Sequence, residues 1–210
     1  MDNSERSNRS RIFACSGRHV TIVPAGRHQA MKTSHATGRA RLAIPEELVA
    51  LASPSADVAV LVDLDYLSHA GPRGFRVDDV TLASLLRIVE ASAGSCGTLR
   101  YVRAACSTET AAAHCLVLAV AANNTWRAVT GRHGADACIA AELEHLTRTR
   151  RMRLVVLVAG DHGYARPVSA LRAAGIAVWL IHRPGSVSWR LYRAASSATP
   201  LPPGGAPAPP

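Results

Sequence analysis

LVVLVAGDHGYARPVSALRAAGIAVWLI, residues 154–181, decides the fold class. Its opening run of Leu and Val is the composition of a strand buried on both faces. Gly160-Asp161-His162-Gly163 then breaks the chain as a turn. A helix follows, with Pro167 in its first turn and Gly175 as its C-terminal stop. IAVWLIH restarts a buried strand. Strand, turn, helix and strand in one short stretch make a βαβ unit, whose two strands must run parallel.

The same alternation extends outward. ADVAVLVDLDYL (56–67) is an apolar run ending in acids and reads as another buried strand. VDDVTLASLLRIVEAS (77–92) is helical, with Val77, Val80, Ala83, Leu86 and Val89 as its expected apolar stripe and Asp78 at its N-terminus. TLRYVRAAC (98–106) is a strand, TETAAAHCLVLAVAAN (108–123) an Ala-rich helix, and TWRAV (125–129) a short strand. GADACIAAELEHL (134–146) and WRLYRAA (189–195) complete the set as helices. Alternation of this kind predicts a parallel sheet with helices on both faces, a three-layer α/β/α domain.

The flanks differ in composition. Residues 1–55 read as a basic, disordered leader. Within residues 1–41, Arg6, Arg9, Arg11, Arg18, Arg27, Lys32, Arg39 and Arg41 face only Asp2 and Glu5. This stretch is either a plain leader, a segment upstream of the true start, or an arm for a polyanion. Residues 56–195 are the expected domain. Residues 196–210, SSATPLPPGGAPAPP, read as a Pro-rich disordered tail.

Composition narrows the function. The chain has 210 residues, 24 Lys+Arg against 15 Asp+Glu, and a formal charge of +9. Apolar residues at 48% suffice for a core and exclude wholesale disorder. Aromatics at 4% argue against a carbohydrate groove or a base-stacking platform. Five cysteines (Cys15, Cys96, Cys106, Cys115, Cys138) lack CxxC or finger spacing, so neither a disulfide scaffold nor structural zinc is expected. Reduced thiols and the absence of a long apolar run predict a soluble, cytoplasmic protein that does not enter the membrane. A homo-oligomer is compatible with this reading.

Sites in parallel α/β sheets form beyond the carboxyl ends of the strands. Asp63 ends the first strand, Asp65 follows it, Asp161 lies past LVVLVAG, and Asp136 opens the third helix. Carboxylates gathered at one sheet edge repel, and a hard divalent cation such as Mg²⁺ or Mn²⁺ relieves this. Such an ion could activate water at a phosphodiester. Each acid also has a plain structural reading. Asp63 could accept backbone hydrogen bonds at a strand end, Asp161 could close a turn, and Asp136 could cap its helix. Glu142 lies about 120° around the helix from Asp136 and reads equally as a site residue or a solvated acid. Cys138, on the same helix, reads as core.

These segments together resemble the NYN domain, a PIN-like ribonuclease group that includes the DUF88/LabA-like proteins. VAVLVDLDYL resembles its opening strand. GRHGADACIAAEL resembles its Lys-Gly-x-Asp segment, with a second acid six residues later. Residues 154–181 resemble its strand, Ser-Gly-Asp-x-Asp-Phe turn, helix and final strand, and SVSWRLYRAAS its closing helix. The resemblance implies cleavage of RNA by clustered carboxylates with Mg²⁺ or Mn²⁺. Asp63, Asp136 and Asp161 match the metal-binding acids, and Glu142 matches the fourth catalytic acid. The chain departs from the pattern at Tyr66 (often Asn), Ala159 (Ser) and Gly163 (the second Asp), and lacks the Lys, with Arg132 and His133 nearby.

Two other functions use the same residues. VDLDYL also resembles the Asp-x-Asp strand of haloacid-dehalogenase-like phosphatases, with Asp63 as nucleophile and Asp65 as acid. Against it, no Lys lies between Asp63 and Asp161, and Ala165 stands where a further acid would be needed. A non-enzymatic RNA-binding or interaction module is the third reading. Arg73, Arg76 and Arg132 are the expected RNA contacts, because they flank the acids and would offset their repulsion of phosphate. Arg148, Arg150, Arg151 and Arg153 read as a solvated connector at the far end of a strand. His69, His133 and His162 fall near the mouth of the expected site.

Overall fold

The computed structural model describes residues 41–69, 76–120, 125–129 and 134–202. Among the described residues, six strands form one sheet: β1 (Asp57–Asp63), β2 (Thr98–Ser107), β3 (Thr125–Val129), β4 (Leu154–Val158), β5 (Ala177–His182) and β6 (Ser197–Pro200). Their order is β3-β2-β1-β4-β5-β6, and every pairing is parallel. The helices are α1 (Glu46–Val49), α2 (Leu64–Ser68), α3 (Asp79–Gly94), α4 (Thr108–Ala113), α5 (Cys115–Val120), α6 (Gly134–Thr149), α7 (Ala165–Ala173) and α8 (Trp189–Ala194).

The period of two along each strand divides its side chains between two cores. Val58, Val60 and Val62 of β1 pack with Leu82, Leu85 and Val89 of α3, together with α1 and α5. Ala59 and Leu61 face the other way, toward Ile139 and Leu143 of α6, Val168 of α7 and Leu191 of α8. The molecule is therefore the expected three-layer α/β/α sandwich. Order reverses between β1 and β4, the first strands of the two halves, which opens a crevice at their carboxyl ends.

Four local expectations change. Val80 is 77% exposed; α3 buries Leu82, Leu85, Leu86, Val89 and Ala93 instead, a stripe the sequence populates equally well with apolar residues. The helix expected over 108–123 breaks at His114, which is buried and holds Asp79 Oδ1 at 2.8 Å. Part of the expected leader is structured: α1 lies within it, and Leu48 is buried in the core.

The sheet also passes the boundary expected at residue 195. Ser197–Pro200 is an edge strand, where a proline without an N–H is tolerated. Trp179 Nε1 donates to Thr199 Oγ1 at 2.9 Å, and Leu201 is buried. At the end of α7, Gly175 has φ +81°, a left-handed value that favours glycine.

Candidate active site

Asp63 closes β1 on the same face as Ala59 and Leu61, so its carboxylate looks toward α6. It is 5% exposed. The chain turns at once into α2, which Asp63 caps through Oδ1, accepting from Tyr66 N at 2.9 Å. Its other oxygen, Oδ2, accepts from the Tyr164 hydroxyl at 3.2 Å. The same hydroxyl lies 2.7 Å from Oδ1 of Asp136 in the first turn of α6.

One phenolic proton therefore stands between two carboxylates and satisfies only one of them fully. Burial pushes Asp63 up to about 6, with the charges of Asp136 and Asp65 adding to it; the Tyr66 N–H and the Tyr164 hydroxyl pull the other way. Burial and the two carboxylates drive the Tyr164 phenol far above its ordinary range, so it stays a neutral donor.

Asp161 follows β4 and caps a single 3₁₀ turn (His162–Tyr164), its Oδ1 accepting from Gly163 N at 2.7 Å. His162 Nδ1 sits 2.9 Å from the same oxygen. Asp63, Asp136 and Asp161 line one open cavity of about 410 Å³, together with Asp65, Tyr66 and Arg183.

The wall opposite the acids is built by packing around Tyr66. Its hydroxyl donates to Ser186 O at 3.0 Å and accepts from Arg183 N at 2.8 Å. The Arg183 guanidinium lies 4.4 Å from the ring centroid, with Nη1 on the His69 carbonyl and Nη2 on Ser186 Oγ at 2.7 Å. Arg183 Nε is buried and has no hydrogen-bond partner among the described residues. Gly160 makes this approach feasible, since a Cβ there would sit 2.3 Å from the Tyr66 ring and 2.5 Å from Ser186 O.

The remaining expected residues are placed differently. Glu142 is not in the cavity: Tyr101 donates to it at 3.1 Å and Arg103 lies at 3.3 Å. Six residues along a helix rise about 9 Å, which carries Glu142 from the sheet edge down to the middle of β2. Asp65 lines the cavity, but both its oxygens accept from Ser107, at 2.8–3.1 Å from the backbone N–H and 2.9 Å from the hydroxyl. Arg76 pairs with the exposed Glu109 at 2.9 Å. Arg73, Arg132 and His133 lie outside the described residues. His69 Nδ1 is 2.7 Å from the Asp65 carbonyl.

Tyr164, Arg183 and Ser186 are site residues that sequence reasoning missed. Tyr164 had a signal: it stands where the resembled turn ends in Phe, so a hydroxyl has been added there. Arg183 had only its position at the carboxyl end of a strand next to β4.

Among the described residues, no three His, Cys, Asp or Glu side chains close into a metal-holding group. The donor set is nonetheless all oxygen, with two carboxylates held against one hydroxyl and a third on the same cavity. That suits a hydrated hard cation, since Mg²⁺ keeps several waters and binds through one or two carboxylates.

Residues 57–202 match the family model of the NYN domain. No curated protein matches the chain. Among solved structures, a protein of unknown function from Vibrio parahaemolyticus superposes with a TM-score of 0.53 at 14% identity, covering 72% of this chain and 96% of that one. MurG of Acinetobacter baumannii gives a TM-score of 0.38 at 12% identity, over 73% of this chain and 43% of its own. The Vibrio likeness is one of fold alone, and the MurG overlay is too loose to argue from.

Proposed function

Because the chain belongs to the NYN-domain family, we propose that it is a metal-dependent ribonuclease that hydrolyses RNA phosphodiesters at the cavity between β1 and β4. The observation that carries this reading is the Asp63–Tyr164–Asp136 contact, two acids from distant segments held against one hydroxyl at the topological switch point. Asp63, Asp136 and Asp161 would hold Mg²⁺ or Mn²⁺. When bound, the ion supplies positive charge to activate water and to offset charge on the reacting phosphate.

The protein's own groups do the rest. Tyr164 fixes the orientation of both carboxylates and never competes as an anion. Asp63, raised to about 6, is mostly ionised near neutral pH, where its carboxylate is available to a cation. Asp161, 45% exposed in its side chain, forms the solvent side of the cavity, where substrate would enter. Arg183 brings a cation, and an N–H that is buried and unpartnered among the described residues, to the wall that faces the acids.

Arg73, Arg76 and Arg132 are proposed contacts to the RNA backbone. The Arg76–Glu109 pair is no obstacle, since such surface pairs contribute about 0–1 kcal/mol. Glu142 is left out of the proposed catalytic set, as it braces α6 against β2. Cys106 is no nucleophile, since burial pushes its thiol up to about 12. Buried Cys96 and Cys106 without disulfides suit a reducing cytoplasm. No helix among the described residues is long and apolar enough to cross a membrane.

The phosphatase alternative would need Asp65 as a free acid, and Ser107 occupies both its oxygens. The deciding experiment incubates the full chain with labelled RNA, with Mn²⁺ or with chelator, beside Asp63→Asn. Mn²⁺-dependent cutting lost in the variant supports the reading. Metal-independent cutting, or equal cutting by the variant, overturns it.

A further inference from the structure

The closing helix carries a feature that the proposed chemistry leaves unused. Trp189 is 66% exposed and Tyr192 is 43% exposed. Their rings are nearly parallel, 11° apart in plane, with centroids 6.0 Å apart. Leu191 and Ala194 of the same helix are buried in the second core, which fixes its rotation and turns positions 189 and 192 outward together. Arg193 lies 5.6 Å from the Trp189 centroid, and His182 meets the Tyr192 ring edge-on at 5.9 Å. The pair is thus held in place, flat and open to solvent.

It also adjoins the cavity. Ser186 and Gly160 line that cavity, and Ser188 N donates to Gly160 O at 2.8 Å. Trp189 stands three positions after Ser186, so their Cα atoms lie within ~11 Å. We propose that Trp189 and Tyr192 form a stacking platform for an unpaired base of single-stranded RNA whose backbone enters the cavity, a substrate preference that rests on the ribonuclease reading.

The chemistry favours this occupant over a protein. Every nucleobase has a π-face, and only an unpaired base can offer it to an indole. Arg190 and Arg193 are exposed on the same short helix, where they suit phosphates. The low aromatic content, which argued against a stacking platform, is offset by placement: two of the few aromatic side chains stand within six residues of Ser186, which lines the cavity.

The test measures binding of the full chain, with chelator present so that the strands stay intact, to single-stranded RNA, to a duplex of the same sequence, and to heparin, which has charge but no bases. Trp189→Ala should weaken single-strand binding about tenfold or more, leave duplex and heparin binding unchanged, and keep the wild-type melting temperature. Trp189→Phe should retain most of the affinity. Wild-type affinity in Trp189→Ala, an equal loss for heparin, or no single-strand binding by the wild type overturns the platform. A change in self-association on sedimentation, with RNA binding intact, assigns the pair to a second copy instead and also overturns it. Trp189-dependent binding without Mn²⁺-dependent cutting would keep the platform and remove the nuclease. Cutting intact without Trp189 dependence would do the reverse.

Discussion

Asp63 is the residue on which charge, burial and chemistry meet. Its acid is raised from 3.8 to about 6 by burial, so the folded state favours the protonated form. The stability it contributes is fully present below pH ~4 and is lost as pH rises through about 6. Two units correspond to ~3 kcal/mol. Asp63→Asn is therefore expected to melt higher than the wild type near neutral pH without metal, and to differ little at pH ~4, as differential scanning calorimetry would show. The same substitution should abolish cutting. Tyr164→Phe removes the one donor between Asp63 and Asp136, and should cost ~1–3 kcal/mol in metal-free protein near neutral pH, read by urea unfolding. Residues whose role is a carboxylate at a strand end were legible in the sequence, because the end of an apolar run is visible there. The bridging role of Tyr164 was not, since only its place at the end of the turn is visible and its partners lie 101 and 28 positions away.

At the scale of elements, the site depends on how closely the segments after β4 and β5 approach α2. Gly160→Ala would drive a methyl into Tyr66 and the Ser186 carbonyl. It should cost ~1–3 kcal/mol and displace Arg183, so thermal stability and RNA cutting should fall together. Leu143→Ala, deep in α6, should cost ~2–5 kcal/mol by equilibrium unfolding. The strands were readable because β1, β4 and β5 are buried on both faces and are therefore uniformly apolar. The face of α3 was not, because Val80 and Leu82 offer two apolar stripes and only the packed sheet chooses between them. Glu142 lies away from the cavity for a related reason. Its angle around α6 could be computed from spacing, but its depth below the sheet edge mattered more. β6 was hidden by the proline content of its own sequence.

For the whole molecule, strand order rather than any single motif brings the acids together. β1 and β4 are neighbours only because the chain reverses direction across the sheet after β3. The chain carries a formal charge of +9, which favours association with a polyanion. RNA affinity should therefore fall tenfold or more between roughly 50 and 200 mM salt, with a linear log–log slope, measurable by fluorescence anisotropy.

The central claim is that Asp63, Asp136 and Asp161 share one divalent ion, and Mn²⁺ titration followed by electron paramagnetic resonance tests it most directly. The wild type should bind Mn²⁺ near neutral pH and release it as pH falls below about 6, where Asp63 takes a proton. Asp63→Asn and Asp161→Asn should each bind about tenfold more weakly or worse. An isotherm unchanged in both variants would contradict the shared site and the ribonuclease built on it.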